Sequence, residues 1–235
     1  ISTENARQFS SAAKGETLED TIRVVSYYAD VIVLRHYEEG ASERAASVSS
    51  VPIINAGDGI GQHPTQALLD LYTIKKEFGK TDNIKIAFVG DLKNGRTIHS
   101  LAYLLGMYEG VDMFFVSPPQ LRIPGDIKTY LDRCSISYQE LEDWSRVIKE
   151  VDVVYQTRVQ KERFITMREY SKPRKRYILG LKEAQTMKRN AIIMHPLPRV
   201  GEILPEVDAS PKAVYFKQAR NGLLIRMALL KFLVF

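Results

Sequence analysis

The chain has a single cysteine, Cys134, among its 235 residues. One thiol excludes an intramolecular disulfide and any zinc site built on cysteine pairs. It fits a reducing compartment. Histidine is also scarce: His36, His63, His99 and His195 are the full set. No two of them stand three or four apart, and none belongs to an H-E-x-x-H pattern, so no metal centre is expected. No G-x-S-x-G elbow is present, which leaves a serine-hydrolase triad without support. No apolar run is long enough to span a bilayer. The apolar end Ala228 to Phe235 is short and broken by Lys231, and reads as a docked terminal helix. There is no signal-peptide pattern, no internal repeat and no low-complexity segment.

What is present is an ordinary globular composition with a formal charge of +5 and a pI near 9.1. Such mild basicity suits an anionic small substrate, a nucleic acid or nothing in particular. The dense basic run Lys172-Pro173-Arg174-Lys175-Arg176 has no interleaved aromatics and no DNA-binding motif around it. It reads as a solvated face, so neither nucleic acid nor membrane is expected as a partner. The chain opens on Ile1 in a polar stretch, and residues upstream of it are expected to have been removed or to lie outside the sequence given.

Helices are expected over Leu18 to Tyr28, Glu39 to Ser49, Pro64 to Gly79, Arg96 to Met107, Asp126 to Leu131, Leu141 to Glu150, Leu181 to Lys188 and Gln218 to Leu230. Strands are expected at Ala29 to Leu34, Val51 to Asn55, Ile84 to Val89, Asp112 to Val116, Val151 to Gln156 and Ala191 to Met194. Strands alternating with helices predict an α/β fold: two doubly wound α/β/α domains with parallel sheets. The division is placed near residue 80. Residues 1–80, with an interdomain helix at 64–79, form one domain and 81–217 the second, while the helix at 218–235 packs back on the first. Sheets of this kind bind ligands at the carboxyl ends of their strands, where the following motifs sit.

In Gln62-His63-Pro64-Thr65-Gln66, proline suits the first helical position and puts His63 at the N-cap. A purely structural account has Gln66 closing a capping-box-like contact. A functional account has helix N–H groups, an imidazole and a carboxamide converging on one ligand. The helix N-terminus then depresses the imidazole pKa, leaving a neutral N–H to polarise a carbonyl. Gly90 to Thr97, GDLKNGRT, matches a P-loop except that Arg96 stands for lysine. Arginine copies that point charge poorly and suits a bidentate grip on a carboxylate; a surface salt bridge is the bland alternative. Tyr155 to Arg163, YQTRVQKER, leaves a buried strand with Arg158 and Gln160 on one side at a period of two, or is an ordinary solvated loop. Met194 to Val200, MHPLPRV, has carbonyls freed by Pro196 and Pro198 to accept from an amino group; otherwise it is a rigid loop. Lys14 and Arg35 complete a set with no nucleophile and no metal ligands. It describes a site for a multiply charged anionic pair, working by positioning and electrostatics.

In this order, AKGETLEDT, VLRH, NAGDG, QHPTQALLD, VGDLKNGRTIHS, TRVQKER and HPLPRV resemble the catalytic chains of aspartate carbamoyltransferases, within the aspartate/ornithine carbamoyltransferase superfamily. The ornithine branch typically has a cysteine-containing HCLP segment where this chain has His195-Pro196-Leu197-Pro198, and it lacks TRVQKER. The resemblance implies transfer of the carbamoyl group of carbamoyl phosphate to the amino group of L-aspartate, giving N-carbamoyl-L-aspartate and phosphate in pyrimidine biosynthesis. It implies no cofactor and no catalytic metal. Arg35 would hold the phosphate and carbonyl of carbamoyl phosphate. His63 would donate to the carbonyl oxygen. Gln66 would take the carbamoyl NH2, with the carbonyls of Pro196 and Leu197. Arg96, Arg158 and Gln160 would hold the aspartate carboxylates. Lys14 and Ser11 would reach a neighbouring subunit's site in a homotrimer with shared active sites. Regulatory subunits or fused pathway enzymes are further partners of the family, and the expected compartment is the cytoplasm or a plastid.

One departure accompanies the resemblance. The family's S-T-R-T-R phosphate-binding segment does not occur in these residues, so the first domain is expected to be N-terminally incomplete. A cleaved or absent upstream segment accounts for this; a short non-catalytic relative, a pseudoenzyme, is the alternative.

Overall fold

The computed structural model describes residues 14–59, 61–158 and 177–234. The chain divides into two compact units, one of residues 1–65 with 226–235, the other of 66–225.

In the first unit, Thr17 caps α1 (Leu18–Ser26) by accepting the Asp20 N–H at 3.2 Å, and Glu19 and Asp20 fill its first turn. Both features favour a helix N-terminus. Strands β1 (Ile32–His36) and β2 (Ile53–Asp58) pair in parallel, with α2 (Ala41–Val48) between them in sequence. Ile22, Ile32 and Ala45 form its small core, with Leu18, Val25, Leu34, Val48 and Ile53 packed against them. Val33, on the opposite face of β1, is 60% exposed, so among the described residues this sheet is covered on one side.

The second unit is a five-stranded parallel sheet in the order β5-β4-β3-β6-β7. Its strands are β3 (Lys85–Val89), β4 (Asp112–Val116), β5 (Ser137–Leu141), β6 (Val153–Gln156) and β7 (Ile192–Met194). Its helices are α3 (Pro64–Phe78, from Gln66 on), α4 (Arg96–Leu105), α5 (Gly125–Arg133), α6 (Leu181–Thr186) and the start of α7 (Tyr215–Val234). The period of two separates two cores. Ile86, Phe88, Met113, Phe115, Val153 and Tyr155 face α4 and α5, while Ala87, Val89, Phe114, Val116 and Val154 face Ala184 and Met187. Apolar side chains on both strand faces are what a sheet covered on both sides requires.

Two expectations change. The helix expected over Leu141 to Glu150 is instead the end of β5 followed by a short 3-10 turn, Trp144–Arg146, capped by Asp143 through the Ser145 N–H. As an edge strand, SYQEL carries few apolar residues, so it lacks the signal of a buried strand. By its packing, α3 from Gln66 on groups with the second unit, where Ala67 and Ile74 lie in the core. The last helix begins at Tyr215 and also divides: Gln218 and Asn221 are buried within the second unit, and residues 226–235 group with the first.

Candidate active site

The strand order of the second unit reverses between β3 and β6: the chain runs outward through β4 and β5, then returns to the other side of β3. The carboxyl ends of these two strands therefore frame the crevice where doubly wound sheets take ligands. Arg96 opens α4 just after β3, and Arg158 follows β6 by two residues. Thr157 binds the two strand ends together, its N–H and hydroxyl both donating to the Val89 carbonyl at 2.9 and 3.2 Å. The approach is so close that a Cβ on Gly90 would stand 2.5 Å from the Thr157 carbonyl oxygen, and Gly90 has φ +123°. Replacing Gly90 by alanine forces both a clash with backbone and a positive φ. We expect a loss of about 3 kcal/mol or more, from strain and overpacking together, read as a lower urea midpoint at unchanged m-value.

The loop from β3 to Arg96 is not a phosphate cradle. The Asp91 side chain, 1% exposed, turns into it and accepts from the backbone N–H and the carboxamide of Asn94 at 3.0 Å. A carboxylate occupying the loop's own N–H groups repels a phosphate. His99 braces the same loop from α4, its Nε2 lying 2.7 Å from the Leu92 carbonyl, and burial pushes its pKa down. A neutral ring donating to a carbonyl is the arrangement that fits.

Gln66 opens a buried network. Its Nε2 donates to Asp70 Oδ1 at 2.8 Å, one turn forward on α3, rather than only facing back toward the helix cap. The same oxygen accepts Gln218 Nε2 at 2.6 Å, and Oδ2 accepts the Tyr155 hydroxyl at 2.6 Å. Asp70 is fully buried, and desolvation pushes its carboxyl up to about 7 despite these three donors. Burial, then the Asp70 charge, raises the Tyr155 phenol well above its ordinary range.

Gln218 turns its other end to β7, where its Oε1 accepts the His195 N–H at 2.9 Å. His195 then shapes the loop it begins. Its Nδ1 accepts the Leu197 N–H at 2.8 Å, which places the ring proton on Nε2, 2.8 Å from Glu202 Oε1. Burial would raise the Glu202 carboxyl, but hydrogen bonds from His195 and the Val200 N–H outweigh it and hold it below its usual range. Leu197 sits at φ +49° and the Leu197–Pro198 bond is cis. Pro196 and Leu197 are both half-buried, and the His195 ring holds Leu197 through its N–H.

In the first unit, Asp58 organises the loop that leads to His63. Its carboxylate accepts the Gly40 N–H at 3.0 Å, the Asn55 amide at 3.2 Å and the Gln62 N–H at 3.1 Å. His63 precedes α3, with its Nδ1 3.4 Å from Thr65 Oγ1. Arg35 is exposed on β1 at an irregularity in the β1–β2 ladder: Leu34 pairs with Asn55 but His36 with Asp58. An extra residue on β2 at this point bends the ladder and re-aims neighbouring side chains. Lys14 is exposed ahead of α1. Ser11 and Gln160 lie outside the described residues.

The structure therefore places Arg35, His63 and Lys14 in the first unit. Within the second it joins Gln66 to the His195 loop, and sets Arg96 and Arg158 after neighbouring strand ends. Asp58, Asp70, Tyr155 and Gln218 escaped the sequence reading. Asp70 had one available signal: it stands four residues after Gln66, between Leu69 and Leu71 on an apolar helix.

Two family models match the chain. The carbamoyl-P binding domain of aspartate/ornithine carbamoyltransferase matches residues 1–76, and the Asp/Orn binding domain matches 82–233. The chain is 57% identical over 235 residues to aspartate carbamoyltransferase 3, chloroplastic, of Pisum sativum, covering all of this chain and 60% of the relative. It is 56% identical over 225 residues to the aspartate carbamoyltransferase catalytic subunit of Methanocaldococcus jannaschii, covering 96% of this chain and 73% of that one. The aspartate transcarbamoylase of Trypanosoma cruzi, solved with N-(phosphonacetyl)-L-aspartic acid, superposes with a TM-score of 0.90 at 41% identity, over 98% of this chain and 73% of its own. The chain spans about 60% of the length of the pea relative, less than two thirds.

Proposed function

The chain belongs to the aspartate/ornithine carbamoyltransferase family, and on that premise we propose that it carries most of the active-site residues of an aspartate carbamoyltransferase. The observation that carries the reading is the pair of arginines after β3 and β6, at the reversal point of the sheet. Two guanidiniums there suit a dicarboxylate acceptor, and a second amino acid with a cationic side chain suits them poorly.

In the proposed reaction the deprotonated amine of L-aspartate attacks the carbonyl carbon of carbamoyl phosphate. A C–N bond forms and the carbonyl π electrons move onto oxygen. That pair then returns to re-form the carbonyl as the C–O bond to phosphate breaks with its electron pair leaving on phosphate. The departing phosphate takes the surplus proton of the attacking amine. His63 donates to the developing oxyanion, with Arg35 beside the same oxygen and the phosphate. Gln66 Oε1 and the carbonyls of Pro196 and Leu197 accept from the carbamoyl NH2. Arg96, Arg158 and Gln160 fix the aspartate carboxylates, so the amine is presented at the carbon rather than found by diffusion. Lys14 and Ser11 act in a neighbouring copy of a homotrimer. No step calls on a cofactor or a metal.

Support comes from the T. cruzi enzyme, which has been solved with carbamoyl phosphate and aspartate together. The compartment we infer is the cytoplasm or a plastid, and the chloroplastic names of the plant relatives support the plastid. The test is formation of N-carbamoyl-L-aspartate by the full-length protein from carbamoyl phosphate and L-aspartate, with L-ornithine as the competing acceptor. Product with aspartate alone is expected. Product with ornithine alone, or with neither, overturns the reading.

A further inference from the structure

We propose that Asp70 is a positioning residue that sets the polarity of both arms receiving the carbamoyl NH2, acting through Gln66 on one side and through Gln218 and the His195 loop on the other. The proposal rests on the functional reading above. A primary carboxamide is nearly symmetric in shape and can present either its oxygen or its NH2 to a ligand. An NH2 group of a substrate needs the oxygen. Something must therefore force the Gln66 nitrogen the other way.

Asp70 Oδ1 does this for two carboxamides at once. It accepts Gln66 Nε2 at 2.8 Å and Gln218 Nε2 at 2.6 Å, so both nitrogens point inward and both oxygens outward. The outward oxygen of Gln218 accepts the His195 N–H at 2.9 Å. His195 in turn accepts the Leu197 N–H, which turns the peptide groups of Pro196 and Leu197. The outward oxygen of Gln66 is the atom assigned to the carbamoyl NH2. One buried acceptor thus fixes two recognition elements that lie far apart in sequence.

The arrangement tolerates protonation. Burial brings the Asp70 carboxyl to about 7, and the Tyr155 hydroxyl lies 2.6 Å from Oδ2. A proton on Oδ2 has that hydroxyl as its acceptor, and Tyr155 is the one titratable group facing the carboxyl among its hydrogen-bond partners, since Gln66 and Gln218 are amides. Oδ1 remains an acceptor in either state. What the network needs is an oxygen at that point, not a charge.

The test compares binding of phosphonoacetamide with acetonylphosphonate, which differ in NH2 against CH3, by isothermal titration of the full-length protein. The wild type is expected to prefer the amide by at least tenfold. Asp70→Leu, which offers no acceptor, is expected to lose that preference while binding the ketone as before. Asp70→Asn, whose carbonyl oxygen can face both amides and whose NH2 can face Tyr155, is expected to keep it within about threefold. Gln218→Met leaves Asp70 its other two donors and is expected to lower the preference at least threefold; it carries the test if Asp70→Leu does not fold. A purely structural role would weaken both ligands alike or lower the melting temperature alone. An unchanged preference in the folded leucine or methionine variant overturns the positioning role. A wild type that binds both ligands equally overturns the assignment of Gln66 itself, and with it the premise.

Discussion

Replacing His63 by alanine is expected to lower kcat for carbamoyl transfer by about 10²–10³-fold, the loss typical of one oxyanion donor, with little change in the aspartate KM. The expectation follows from when the donor matters. The carbonyl oxygen of carbamoyl phosphate carries little charge in the ground state and nearly a full charge in the tetrahedral intermediate. An N–H aimed at it is therefore stronger in the transition state than in the bound substrate, which is the condition for raising kcat rather than affinity. Thr65 bears on the same point, because its hydroxyl lies 3.4 Å from Nδ1. If that hydroxyl donates, the ring proton is held on Nε2, leaving that atom to donate. His63→Asn, which keeps an N–H donor on a shorter stem, should recover part of the loss. Steady-state kinetics with both substrates varied decides it, and an unchanged kcat in the alanine variant removes the donor role.

The β/α alternation was legible because strands buried on both faces read as continuous apolar runs, as in KIAFV and DMFFV. Strand β5 was not, because an edge strand needs only part of one face buried and SYQEL satisfies that with polar residues. The motifs proposed to hold the substrates were legible for a different reason. They combine proline, glycine and paired cations at strand ends, where few other roles need them. Their supports were hidden. Asp70, Tyr155 and Gln218 meet only through contacts spanning 85 and 148 residues, and no local pattern announces such a meeting. Asp58 was hidden for another cause: it meets Asn55 and Gln62 within four residues, at the end of β2 where no periodic pattern runs. The change of packing within α3, two residues after its start, was also illegible, since the helix itself is continuous.

Arg158→Ala is expected to raise the aspartate KM and lower kcat, for a combined loss of about 10²-fold or more in kcat/KM, the scale of removing one member of a desolvated charge pair. Arg158 follows Thr157, which both its N–H and its hydroxyl tie to Val89, so its backbone is fixed relative to the β3 strand end before any ligand binds. That preorganisation is why its removal should reach kcat: the carboxylate it holds orients the attacking amine. Arg158→Lys should rescue little, because an ammonium lacks the planar fork. The same variant tests the shared sites of the proposed homotrimer. Lys14→Ala and Arg158→Ala chains, each inactive alone, are dissociated and reassembled in equal amounts. A site regains both wild-type residues only where one kind of chain meets the other in the correct order, which random mixing in a closed three-fold ring yields for about a quarter of sites. Activity recovering to about that fraction fits donation of Lys14 to a neighbour's site. No recovery in a mixture shown to contain hybrid trimers overturns it, and wild-type kinetics in the Arg158→Ala chain alone removes the clamp.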